Sequence, residues 1–362
     1  MKICFFGSSL VSSYWNGAAT YYRGILKEIA ALGHDITFFE PDAFARQAHR
    51  DIDDPSWATV VIYPATSEGW QRSLAAAARS ADILVKASGV GVFDIELENA
   101  VAEIQSRALR LYWDVDAPAT LEAIAADPGH HLRGAIPCYD LVLTYGGGEP
   151  VAQGYRAAGA RDCVPIYNAL DPATHHPAPP IPEFACDLSL LANRLPDRER
   201  RVEQFFIEVA DRLPARSFVL GGAGWDSKPM PQNIRKSGHV GTGQHNAFFA
   251  SALATLNINR DSMAKYGFSP PTRVFEAVGA GACLITDAWD GIDHFLEPGT
   301  EVLVAANGDE VAGHLDMLEP TRASAIARRA RARILAHHTY RHRARQFQQL
   351  LEGMNIRTEA AE

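Results

Sequence analysis

The chain has 362 residues, 47% of them hydrophobic and 21% charged, enough for about two domains with cores of their own, which excludes both a staple-dependent small fold and wholesale disorder. Lys and Arg number 34 against 43 Asp and Glu, a net charge of −9, and an acidic surface of this kind repels polyanions, so nucleic acid is excluded as the default partner. Five scattered cysteines (Cys4, Cys138, Cys163, Cys186, Cys283) without C-x-x-C spacing exclude a disulfide framework and fit a reducing cytoplasm, and no run approaches the ~20 apolar residues of a bilayer span.

In chain order, a strand at Ile3 to Phe6 leads through a loop, Gly7 to Asn16, into a helix from about Gly17 to Leu32 closed by Gly33. A second strand follows at Asp35 to Phe39. Further apolar runs at Ile83 to Val85, Leu109 to Tyr112 and Leu141 to Leu143 are separated by alanine-rich helical stretches such as Leu74 to Ala81. Strands alternating with helices predict an α/β fold with a parallel sheet covered on both faces. Between Asn168 and Phe184 stand five prolines, a density that neither helix nor central strand tolerates, so 169–184 reads as a linker after a first domain of 1–168. The pattern then restarts over 185–336, with strands at Leu188 to Leu191, Phe218 to Leu220, Ala254 to Ile258 and Cys283 to Thr286, and helices at about Asp197 to Arg212 and from Thr272. This gives two Rossmann-like domains with a cleft between them. The arginine-rich stretch Thr321 to Met354 reads as helical, with the part from 337 to 362 crossing back to the first domain.

The strongest candidate site runs from Asn257 through Arg260 and Tyr266 to Cys283. Ser269, Pro270 and Pro271 start a helix near Thr272, and the free amides of its first turn make an anion site. Arg273 and Glu276 stand three apart on one helical face, which offers a cation to phosphate oxygens and a carboxylate to ribose hydroxyls. An isolated pair at this spacing would be an ordinary surface ion pair. Gly221, Gly222, Ala223, Gly224 and Trp225 follow a strand, where glycines let a ligand approach the backbone or simply allow a turn, and Gly222 and Trp225 are candidate donor contacts. In the first domain, Asp114 at a strand's carboxyl end is a candidate base or orienter of acceptor hydroxyls, whereas Asp116 reads as a helix cap. The first loop is not G-x-G-x-x-G, and Glu40 only approximates the acid that ends a dinucleotide-binding strand, so a nicotinamide enzyme is disfavoured. The pairs His130-His131 and His175-His176 lack a carboxylate at zinc-like spacing and read as loop residues, so no metal is expected.

The run from Arg273 to Ala282, followed by Leu284 to Asp287 and by Glu297 to Val304, resembles the donor-site half of GT-B glycosyltransferases and is most similar to their CgeB-like branch. The resemblance covers most of the chain. It implies that Glu276 holds the nucleotide ribose and that Arg194 and Arg198, in the first loop of the second domain, reach the diphosphate with Arg273 and Arg260. Arg200 and Arg201 read instead as a solvated helix start. It further implies that the stretch at His239 and Val240 reads the nucleobase through its backbone, and that Gly7, Ser8 and Gly17 lie beside the donor phosphates or the sugar. Where the family carries a second glutamate upstream, this chain has Gly267 and Phe268, which leaves the donor sugar open. The activity so implied is transfer of a sugar from a nucleotide-sugar, a UDP-sugar first, to a glycan, protein or small-molecule acceptor, with retention of configuration and without a metal. A nucleotide-sugar 2-epimerase of the same fold and a non-catalytic sugar-nucleotide or glycan-binding protein are the alternatives.

Overall fold

The computed structural model describes residues 1–14 and 16–359 of the chain. It contains two compact units, one formed by Met1–Asn168 with Tyr340–Glu362 and the other by Ala169–Thr339.

The first unit is built on a seven-stranded sheet of β1 (Lys2–Phe6), β2 (Asp35–Asp42), β3 (Ala58–Pro64), β4 (Ile83–Ala87), β5 (Leu109–Asp114), β6 (Leu141–Thr144) and β7 (Cys163–Pro165). The strand order is β3-β2-β1-β4-β5-β6-β7, with every neighbouring pair parallel. The central strands are near-continuous apolar runs because helices cover both their faces. The edge strand β3 is only partly covered. The helix Ala19–Ala31 packs on the C-terminal helix Tyr340–Glu359. From that last helix the Phe347 ring lies 5.6 Å from Trp113, and the Trp113 indole donates to the Tyr21 hydroxyl at 3.0 Å.

The second unit has a six-stranded sheet of β8 (Cys186–Leu191), β9 (Phe218–Gly221), β10 (Ile234–Gly238), β11 (Ala252–Asn257), β12 (Leu284–Asp287) and β13 (Leu303–Ala305). Its order is β10-β9-β8-β11-β12-β13, again all parallel. In both sheets the order reverses beside the first strand, and ligands of open α/β sheets bind outside the carboxyl ends at that reversal. The helix expected over Asp197 to Arg212 forms as Pro196–Val202 and Glu208–Arg212 joined by a π-helical turn, Glu203–Ile207.

The proline-dense segment is packed within the second unit and is not a free tether. Leu170 is buried, residues Asp171 to His175 form a turn, and Phe184 meets Phe248 edge to face at 5.2 Å. The arginine-rich C-terminal stretch is two helices and not one. Pro320–His337 packs on the helix Thr272–Gly279 and belongs to the second unit, and Tyr340–Glu359 belongs to the first. Between them Thr339 pairs with Leu170 in an isolated bridge. No helix among the described residues is long and apolar enough to cross a membrane.

Candidate functional site

In the second unit the carboxyl ends of β8 and β11 are neighbours at the reversal of strand order. The loop after β8 is held by main-chain bonds from Ala192 to the Gly221 carbonyl at 2.8 Å and from Arg194 to the Ala223 carbonyl at 2.9 Å. Gly222, at φ +123°, approaches so closely that a Cβ would stand 2.2 Å from the Ala192 oxygen. The glycine therefore serves loop-to-loop packing. Trp225, read from the sequence as a ligand contact, is 2% exposed and donates its indole N–H to the same Ala192 oxygen at 2.6 Å. It is a core residue that pins the loop, with no ring face left to stack on a base.

On this platform three guanidinium groups converge. Arg198 donates to the Asn193 carbonyl at 2.8 Å, yet its pKa is pushed down to about 10, first by burial and then by Arg273 and Arg260 nearby. Arg260, from the loop after β11, pairs with Asp197. Arg273, in the first turn of the helix Thr272–Gly279 behind Pro271, also has its pKa lowered by burial, with Glu276 opposing the shift. The Nε atoms of Arg198 and Arg273 are buried without a partner. Crowded, part-desolvated cations raise the free energy of the empty protein and are relieved by an anion. Arg194 behaves differently. Its charge is matched by Glu199 at 2.8 Å, which also takes Lys228 at 2.6 Å, and these partners hold the Glu199 carboxyl down at about 2.

Arg201 overturns its reading as part of a solvated helix start. Its guanidinium reaches 2.5 Å to Asp287, which is fully buried and accepts from the Asn259 amide at 3.1 Å. Arg201 thereby fixes the strand-end turn that presents Arg260. Nothing in local spacing reveals this, because the partner lies on β12. Arg200 is exposed, as expected.

Glu276 is 9% exposed, one turn beyond Thr272. Its carboxylate, His175 and His245 place ligand atoms within 4.8 Å of one another. His175, read as a loop residue, does lie in the turn Asp171 to His175, and a carboxylate absent from its local sequence comes near it from residue 276. His239 is exposed at the end of β10, and Val240 is buried against Gly221, so at Val240 only the backbone faces outward.

In the first unit, Asp114 is fully buried and accepts from Ser88 at 2.7 Å, the Asp116 amide at 2.8 Å and the Tyr155 hydroxyl. A carboxylate so enclosed and so fully partnered holds strand-end loops together and is not a general base for an incoming hydroxyl. Glu40 is likewise consumed by Ser9 at 3.0 Å, the Leu10 amide at 2.7 Å and Gln47 at 2.6 Å, which leaves nothing for a dinucleotide ribose. The Gly7 amide donates to Phe39 at 3.1 Å and Ser8 donates to Asn16 at 2.8 Å, whereas Gly17 is exposed in open space.

The sequence over residues 198–349 matches a family model described as glycosyl transferase-like. No curated protein sequence matches the chain. Among solved structures, sucrose-phosphate synthase from Thermosynechococcus elongatus superposes with a TM-score of 0.72 at 12% identity, covering 98% of this chain and 99% of that one. HepE of Anabaena in complex with UDP-glucose gives 0.68 at 15% identity, covering 98% and 100%. T4 phage BGT in complex with its UDP-glucose substrate gives 0.60 at 11%, covering 98% and 99%. The fold is α/β with two Rossmann-like domains, the GT-B architecture. The family match and these neighbours support a glycosyltransferase.

Proposed function

We propose that the chain transfers a sugar from a nucleotide-activated donor, a UDP-sugar first, to an acceptor hydroxyl, and that the donor is held by the second unit. The observation that carries this reading is the convergence of Arg198, Arg260 and Arg273 at the β8–β11 reversal, with Glu276 one turn deeper. During transfer the acceptor oxygen bonds to the anomeric carbon, the bond from that carbon to the diphosphate oxygen breaks with its electron pair leaving on the diphosphate, and the hydroxyl proton passes to the departing diphosphate or to solvent. The three guanidiniums and the first-turn amides of Thr272–Gly279 face that growing charge, and a preorganised donor set of this kind stabilises it most in the transition state. Glu276 accepts from the ribose hydroxyls, and the backbone at His239 and Val240 meets the base. The neighbours crystallised with UDP-glucose support the choice of donor. Asp114 is withdrawn as the base, so the first unit contributes the acceptor through groups other than that carboxylate. The CgeB-like branch and retention of configuration rest on the motif from Arg273 to Val304, and the anomer of the product read by NMR tests the latter.

The experiment is a thermal-shift screen with UDP-, GDP-, CDP- and TDP-sugars. A ligand bound by the native state alone adds about 2.7 kcal/mol at a hundred times its Kd. Stabilisation by one nucleotide series is expected, and none by any series sinks the reading. Incubation with the bound sugar nucleotide alone then separates transfer from epimerisation, since an epimerase changes the sugar without an acceptor.

A further inference from the structure

The turn Asp171 to His175 lies against the face of the helix Thr272–Gly279 that carries Glu276. Gly279 makes this approach feasible, since a Cβ there would stand 2.3 Å from Leu170 and 3.0 Å from the His175 carbonyl. Asn246 ties the same turn to the helix His245–Ala250 by donating to the Thr174 carbonyl at 2.9 Å and accepting from the His176 amide at 3.3 Å. Three distant segments are thus fastened together, and each delivers one side chain to a single point.

The Thr174 hydroxyl lies 3.1 Å from the Asp171 carbonyl and 3.0 Å from His175 Nδ1. The other ring nitrogen of His175, Nε2, is buried with no partner on a residue 3% exposed. His245 Nδ1 is likewise buried without a partner. Two buried ring nitrogens without a partner beside a carboxylate are an exception to the usual pairing of buried polar groups, and together they suit an electron-pair acceptor.

We infer that His175 Nε2, His245 Nδ1 and one oxygen of the Glu276 carboxylate form a binding site for a divalent transition ion, zinc first, with the other oxygen left for the ribose of the proposed donor. Imidazole with carboxylate is the ligand set that zinc accepts. Ligands at about 2.0–2.1 Å around a tetrahedral centre stand about 3.3–3.4 Å apart. One ring nitrogen of each histidine and a Glu276 carboxylate oxygen lie within 4.8 Å of one another, so the set contracts to the shorter spacing when it closes on an ion. Thr174, 3.0 Å from His175 Nδ1, is the outer partner that orients the ring, as is usual for metal-bound histidines. Three protein ligands leave one coordination position for water or an anionic oxygen.

The test titrates untagged, chelator-stripped full-length chain with Zn2+ and, in parallel, Co2+, without nucleotide. One retained equivalent of zinc and the visible spectrum of low-coordinate Co2+ are expected. His175→Ala and His245→Ala should each weaken binding at least about 100-fold, and Thr174→Val about 10- to 100-fold with rescue by Thr174→Ser. His176→Ala, an exposed neighbour, should leave affinity unchanged. Absence of stoichiometric zinc together with an octahedral Co2+ spectrum in the wild type overturns the site, as does wild-type affinity in the His175→Ala/His245→Ala double variant. The wild-type spectrum decides the matter even where a variant fails to fold. Because no nucleotide is present, failure here leaves the donor reading standing, and failure of the donor screen leaves the zinc result standing.

Discussion

The strand ends of the first sheet and the surroundings of the helix Thr272–Gly279 bury charge in different ways. In the first, Lys86 is fully buried but reaches the Ala87 carbonyl at 2.6 Å, Asp94 at 2.8 Å and Glu98 at 3.4 Å, and Glu40 and Asp114 are equally well supplied. In the second, Arg198, Arg273, His175 and His245 each keep a buried nitrogen with no partner. Buried polar groups are normally paired, so a cluster of exceptions needs a cause. A saturated carboxylate such as Asp114 locks loops, whereas the unsaturated cluster around the helix Thr272–Gly279 is shaped for something the chain does not itself provide. The contrast gives Asp114 a structural place and leaves Arg273 as the charge that the proposed donor would meet, where sequence position alone had put the two in one list.

The largest effect that would break this contrast is at Arg273. Arg273→Ala should lower kcat/KM about 100-fold or more and weaken UDP far more than uridine, as measured by turnover and calorimetry. If both ligands lose affinity alike, Arg273 does not meet phosphate. Arg198→Ala should follow in the same direction with about a tenfold loss, while thermal stability in the absence of ligand holds or rises, because a crowded cation has been removed. Asp114→Ala should show the reverse pattern. It strands Ser88, Tyr155 and the Asp116 amide, and should cost about 1–3 kcal/mol in denaturant unfolding. A variant as stable as the wild type would show that the network is not structural.

The smallest effect is electrostatic. Hydrogen bonds from Arg194 first and Lys228 next depress the Glu199 carboxyl from 4.5 to about 2. A depressed folded-state pKa gives a contribution that is complete above 4.5 and disappears as pH falls towards 2. The difference in unfolding midpoint between wild type and Glu199→Gln should therefore be constant at neutral pH and vanish across that window. A difference that persists at pH 2 would mean that the pair does not form.

The sequence made the alternation of strand and helix legible, because central strands are apolar on both faces, and it made Arg273, Glu276 and the proline-led helix start legible, because they are local. The edge strands β3, β7, β10 and β13 were not resolved from their sequences, since short or half-covered strands lack that continuous apolar signature. The roles of Arg201, Trp225 and Asp114 depend on partners that tertiary packing brings from elsewhere. His175 and His245 stand seventy residues apart, so a search by ligand spacing passes over them, and only the turn packed against Gly279 brings them to Glu276.

The helix Tyr340–Glu359 belongs to the unit that begins at Met1, so in chain order the second unit is an uninterrupted stretch between the two segments of the first. During translation, residues 169–339 have left the ribosome before the first unit has its last helix. The earlier-made sheet must therefore wait, with Trp113 uncovered, until Phe347 emerges. A stop codon just before Tyr340 would accordingly leave the later half intact and cripple the earlier one, which limited proteolysis of such a truncation would reveal.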